Sequence, residues 1–254
     1  LFIYTLHYFL KKELPLNDER QIWRNRNKSL FKAIIIISLG GIFLTCIRLY
    51  QLFHSSSPET GAFGLITLAI LGLLSVAYSH PSMLLKGHSV RKFGKVKLLY
   101  LSLIWTVTTG LVPFLAFNQG SIIQVNTLQL SIFIIHRLIF IASIAFLFNI
   151  YDYIEDKETG TRTFAVYFGQ KKSIQFGKWL FLVLNFITSA VFIFAFKGTT
   201  IYIILAVILP VVSVFILYQK FNPAETESSF VLRHDGLMII KALLLIFATV
   251  ISKN

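Results

Sequence analysis

The sequence predicts an all-α protein, a polytopic membrane helical bundle, and three observations carry that prediction. Of the 254 residues, 56% are apolar and only 14% charged, against roughly 45–50% and 25% in an ordinary soluble domain. Apolar runs of about 20 residues recur along the whole chain, each long enough to cross a hydrocarbon core roughly 30 Å thick. The polar connections between the runs alternate between long, basic stretches and short, nearly uncharged ones. A soluble helical protein would instead show polar faces within the runs.

Taken in order, the opening LFIYTLHYFL is too short to span and reads as the tail of a spanning helix, so a truncated N-terminus is inferred. The runs long enough to span are 33–53, 61–79, 98–117, 128–151, 179–196, 201–218 and 232–251, giving seven complete spans plus a stump. HSSSPET and NQGSIIQVN are the short connections; SHPSMLLKGHSVRKFGKVK and DYIEDKETGTRTFAVYFGQKKSIQFGK are two of the long ones. No internal repeat, low-complexity tract or composition break marks a second domain, and a single domain over 1–254 is expected.

The formal charge of +13 is distributed by face. Lys11, Lys12, Arg20, Arg24, Arg26, Lys28 and Lys32 lie in the first long loop, and Lys86, Arg91, Lys92, Lys95 and Lys97 in the second. The third holds Lys157, Arg162, Lys171, Lys172 and Lys178, and the fourth Lys220 and Arg233. The short loops carry only Lys197. The positive-inside rule makes the long loops cytoplasmic in a multi-pass protein of the plasma (inner) membrane, in contact with lipid, and a charge spread over one membrane face excludes nucleic acid as partner. The single Cys46 rules out an internal disulfide and any CxxC metal spacing.

The stretch richest in chemistry is NIYDYIEDKETGTRTFAVYFG, 149–169, where a spanning helix runs out into a long loop. At 100° per residue Asn149, Asp152 and Asp156 share one helix face, flanked by Glu155. Mg²⁺ takes oxygen ligands and keeps several waters, so two carboxylates plus diphosphate oxygens suffice for a site. The alternative is an acidic helix end that is solvated, or paired with nearby Lys157 and Arg162.

The whole string resembles the second aspartate motif of the UbiA superfamily of intramembrane prenyltransferases: DxxxD, a basic Gly-containing turn, then T-L-(A/P)-V-x-(L/F)-G. Here it reads Asp152, Asp156, Gly160, Thr163, Phe164, Ala165, Val166, Phe168, Gly169, and it is most similar to the dihydroxynaphthoate polyprenyltransferase branch. A second stretch, Tyr78-Ser79-His80-Pro81 followed by Leu85-Lys86, is similar to the family's Y-S-x-P-x-x-x-L-K string. There Lys86 would offer a mobile cation and Tyr78 a phenolic donor to a phosphate oxygen; read without the resemblance, they are an interfacial aromatic and a positive-inside lysine. The resemblance covers nearly the whole chain and implies nine spans in all, with a missing first helix added to the stump and the seven runs.

What the resemblance implies is Mg²⁺-dependent transfer of a polyprenyl group from its diphosphate to an aromatic or other lipophilic acceptor. Asp152 and Asp156 would hold metal, Asn149 would orient it, and Lys86, Tyr78 and Arg162 would contact the diphosphate. The departure is the family's first motif, N-D-x-x-D-x-x-x-D, expected around LHYFLKKEL, 6–14, where His7 replaces an Asp and only Glu13, Asp18 and Glu19 lie nearby. That loss favours a rival reading, a catalytically impaired isoprenoid-binding or scaffold protein. A transporter, with His136 and Arg137 as pathway residues, is the third reading, against which stands the lack of any repeat or broken-helix pair. Arg137 is expected to face the bundle interior or a polar cavity, and Lys241 and Arg48 to lie near helix ends and snorkel.

Overall fold

The computed structural model describes residues 28–54, 58–79, 94–117, 126–196 and 200–251, and among them every regular element is helical. Five helical stretches are long and apolar enough to cross a membrane: Lys28–Phe53, Val96–Phe114, Thr127–Tyr151, Gln170–Ala195 and Ile201–Gln219. The remaining predicted runs are also helical; the first of them holds the shorter apolar stretch Gly61–Ser75. Large apolar side chains lie bare on the outside of these helices, Ile37 73% and Phe194 87% exposed among them. Water would not tolerate so continuous an apolar surface, and a bilayer requires it. The stump at 1–10 and the loop at 11–27 lie outside the described residues.

The described residues fall into two compact units. The first comprises α1 (Lys28–Phe53), α2 (Pro58–Ser79), a π-helical segment (Val107–Leu111) and α4 (Val112–Phe117). Leu49 and Leu52 of α1 are buried with Leu65 and Leu68 of α2 packed against them. The sequence reads 98–117 as one plain span, but the helix widens into the π-turn before Pro113. Proline has no N–H, and its ring clashes with the carbonyl four residues back, here Thr109 within the widened turn.

The second unit contains α3 (Gly94–Thr106), α5 (Thr127–Tyr151), the short α6 (Tyr153–Glu158) and α7 (Phe164–Phe168), then α8 (Gln170–Ala195), α9 (Ile201–Gln219) and α10 (Glu227–Ile251). Helix α5 is its axis. Every residue from Phe140 to Leu147 is buried, as expected of a helix that is apolar all round and enclosed by neighbours. Helices α3 and α8 pack on α5, and α9 packs between α8 and α10. The start of α5 is fixed by a capping box in which the Asn126 side chain accepts from Gln129 N at 2.8 Å and Gln129 Oε1 accepts from Asn126 N at 3.2 Å.

Helix α8 meets α5 through Ser173, Gly177, Phe181, Asn185 and Ser189, one residue in every four and all buried. Small side chains at this spacing let two backbones approach inside a membrane, where no hydrophobic force separates helix from lipid. Long-range hydrogen bonds fix the rest: Tyr218 Oη donates to the Ser143 carbonyl at 2.8 Å, Tyr151 Oη to the Glu225 carbonyl at 2.9 Å, and Gln170 Nε2 to the Ile150 carbonyl at 3.2 Å. The last two hold the end of α5 that carries the acidic residues against the loop before α10 and the start of α8.

Candidate functional site

Helix α5 ends at Tyr151, and Asp152 adopts φ −72° and ψ 7° before α6 resumes at Tyr153. The helical hydrogen bonds continue through this irregularity, from Asp152 N to the Phe148 carbonyl at 2.9 Å and from Asp156 N to the Asp152 carbonyl at 2.8 Å. The i, i+4 relation read from sequence therefore survives, and the two carboxylates stay on one side.

They converge on Lys97 of α3. Its Nζ lies 3.2 Å from Asp152 Oδ2 and 3.4 Å from both Oδ1 and Oδ2 of Asp156. Lys97 and Asp156 are each only 4% exposed. The triad carries a formal charge of −1 in a site largely removed from water, where charge-assisted hydrogen bonds are strong and an unpaired carboxylate is costly.

Gly94 makes this possible. A Cβ there would sit 2.4 Å from the Arg162 carbonyl carbon and 2.5 Å from Thr163 N, so the first turn of α3 lies directly on the loop that follows the aspartates. Lys97, one turn farther along α3, is thereby brought over the acidic pair. The loop itself is folded back by Gly160, whose φ of 71° suits a residue without Cβ, and by Thr161 N donating to the Asp156 carbonyl at 2.7 Å. Thr163, almost fully buried, caps α7 by accepting from Val166 N at 3.4 Å. Phe164 then enters the core between Phe146, at 5.4 Å between ring centroids, and Phe176, at 5.0 Å. The residues that carry the resemblance to the UbiA motif are thus the residues that build this corner.

The other expected site residues are distributed as follows. Asn149 is buried one turn before Asp152 on α5. Arg162 presents its backbone to Gly94 and its side chain to the outside. Glu155 and Lys157 are exposed. Tyr78 is half-buried near the end of α2, in the first unit. Lys86, His7, Glu13 and Asp18 lie outside the described residues.

Lys97 is the residue that sequence reasoning missed. In the sequence it falls among the loop cations, and Lys157 and Arg162 are the basic residues nearest the acidic pair. The partner comes instead from 55 and 59 residues away in the chain. The available signal is its position: a lysine directly before an apolar run, at the membrane face where the acidic pair also emerges.

A second polar group sits deep in the same unit. Lys241 is buried near the middle of α10, with Nζ 3.2 Å from His136 Nε2 and 3.6 Å from the centre of the Phe140 ring. Lysine only donates, so the His136 proton belongs on Nδ1, which faces Thr188 Oγ1 at 3.4 Å; Thr188 donates onward to the Leu184 carbonyl at 2.8 Å. The expectation that Lys241 snorkels is overturned: the nearest end of α10 is 10 residues away, about 15 Å, too far for the side chain to reach. Arg137, beside His136, is half-buried.

Four carboxylate oxygens, three of them within 3.4 Å of one cation, form a hard donor set suited to Mg²⁺. Among the described residues no group of three or more His, Cys, Asp or Glu side chains comes together, so two carboxylates are what these helices supply. Comparison with known proteins gives no match: no family model, no curated protein and no solved structure aligns significantly with this chain.

Proposed function

We propose that this chain is a UbiA-type membrane protein that binds a polyprenyl diphosphate at the Asp152–Asp156 corner and transfers its prenyl group to an aromatic or other lipophilic acceptor. The single observation that carries the reading is the convergence of Asp152 and Asp156 on one cation at the end of an apolar bundle. Mg²⁺, bound with the diphosphate, would neutralise the charge that develops on the leaving group. Asp152 and Asp156 would hold that metal, with Asn149 one turn deeper on the same helix. Lys97 holds the two carboxylates together, and its ammonium can turn to a phosphate oxygen when another cation takes its place. Arg162, in the loop that follows the aspartates, would add a contact to the diphosphate. The aromatic core around Phe146 and Phe164 would stabilise an allylic cation electrostatically.

The presence of Lys97 between the aspartates also favours a second reading. A cluster that supplies its own cation can bind an isoprenoid without turning it over, as expected if the unrecognisable first motif leaves metal binding incomplete. The two readings separate on diphosphate release by the full-length protein with a panel of aromatic acceptors: release that requires both Mg²⁺ and acceptor supports transfer, and binding without release supports the isoprenoid-binding role. For the site, Asp156→Asn keeps the side-chain shape and removes the charge that a hard cation needs. It is expected to weaken Mg²⁺-dependent binding of a polyprenyl diphosphate on the order of tenfold or more. Unchanged Mg²⁺-dependent affinity in the folded variant would remove the metal assignment.

A further inference from the structure

Lys171, Ile174, Gln175 and Lys178 of α8, with Tyr218 and Gln219 of α9, line an open cleft of about 470 Å³. On the helical wheel Lys171, Gln175 and Lys178 fall within about 60° of one another and about 100° or more from Ser173 and Gly177, which face α5. The cleft is therefore on a different side of α8 from the helix that carries the aspartates. Neither α8 nor α9 contains an acidic residue, so the two lysines meet no countercharge from the helices that form its walls. Gln175 and Gln219 add side-chain amide donors, whereas the Tyr218 hydroxyl is already committed to the Ser143 carbonyl and contributes a wall.

We propose that this cleft holds the phosphate headgroup of an anionic phospholipid. Its depth fits. Helix α8 begins at Gln170, directly after α7 and Gly169, and α9 ends at Gln219, so the cleft lies where both helices leave their apolar segments. Trp179 is 53% exposed beside it, and Lys178 Nζ lies 5.1 Å from the Trp179 ring centre and 5.6 Å from that of Phe215. An aromatic at the headgroup boundary with a lysine drawn over its ring is how a helix positions a cation at lipid-phosphate level. Basic recesses between spanning helices recognise phosphorylated headgroups for this reason. Lipid is favoured over soluble phosphate because the cleft is open and an apolar stripe, with Leu182 half-buried and Phe186 42% exposed, continues from it along α8. That stripe offers a track for an acyl chain, which a free phosphate does not have.

The test uses the full chain in nanodiscs, with binding of a labelled phosphatidylglycerol measured against phosphatidylcholine. The wild type is expected to retain about one phosphatidylglycerol in preference to phosphatidylcholine, and Lys171→Gln/Lys178→Gln to lose that preference by roughly thirtyfold, the change expected from removing two interfacial cations. Lys172→Gln, exposed on the same turn but outside the cleft, is expected to bind as the wild type does. An equal loss in Lys172→Gln would overturn the proposal in favour of a diffuse basic surface. Competition by glycerol 1-phosphate as effective as by the lipid would also overturn it, leaving a soluble-phosphate site. No headgroup preference in the wild type would overturn it whether or not the variants fold.

Discussion

Replacing Lys97 by Met removes the cation on which both aspartates converge and leaves the shape nearly unchanged. At separations of 3.2 and 3.4 Å each attraction is worth about 5 kcal/mol at an effective dielectric near 20, before the cost of desolvating the groups. Removing one partner of a buried pair costs ~3–5 kcal/mol, because the other charge stays behind. Here that charge is Asp156, 4% exposed. At about 2–4 °C per kcal/mol for a chain of this size, the melting temperature should fall by roughly 6–20 °C. The assay is thermal unfolding in nanodiscs, followed by circular dichroism, with and without Mg²⁺. Mg²⁺ should raise the melting temperature of Lys97→Met more than that of the wild type, since no resident ammonium competes for the carboxylates; saturation at about a hundred times Kd would restore ~2.7 kcal/mol. The double variant Lys97→Met/Asp156→Asn should recover much of the loss, as the buried charge goes with its partner. A Lys97→Met protein within ~1 kcal/mol of wild type, or a double variant no more stable than the single one, would refute the buried-triad argument.

Three further outcomes follow from the same geometry. Gly94→Ala places a Cβ against the backbone at 162–163 and should cost ~1–3 kcal/mol, with weakened Mg²⁺-dependent binding as α3 is displaced; melting and titration of one sample check both. His136→Leu leaves Lys241 without its nitrogen acceptor and should cost ~1.5–3 kcal/mol, whereas His136→Leu/Lys241→Met should melt close to wild type; a double variant worse than the single one would contradict the pairing. In a Cys46→Ser background, cysteines placed at Arg24, Lys92 and Lys171 should resist a membrane-impermeant reagent on intact cells, while those at Ser56 and Gln119 should react; the reverse pattern would invert the orientation.

The helical runs were legible because each is a local property: about 20 apolar residues and a bilayer of fixed thickness define a span without reference to the rest of the chain. The corner at Asp152 and Asp156 was legible for the same reason, since i and i+4 on one helix share a face whatever packs against it. The widened turn before Pro113 is not visible in the composition of the run, because one missing N–H leaves its apolar character unchanged. What sits opposite the aspartates was not legible. Lys97 is 55 residues from Asp152, in a stretch that reads as one more positive loop end, and it reaches the carboxylates only because Gly94 lets α3 lie on the backbone of the following loop. Lys241 and His136 are 105 residues apart, and which face of α10 turns toward α5 depends on the packing of α8, α9 and α10 together. The sequence by itself determined the solvent of this protein, its helices and the acidic end of α5. Only the tertiary structure decided which cations those acids and that histidine meet, because a charge in an apolar bundle takes its partner from whichever helix packing brings within about 3 Å.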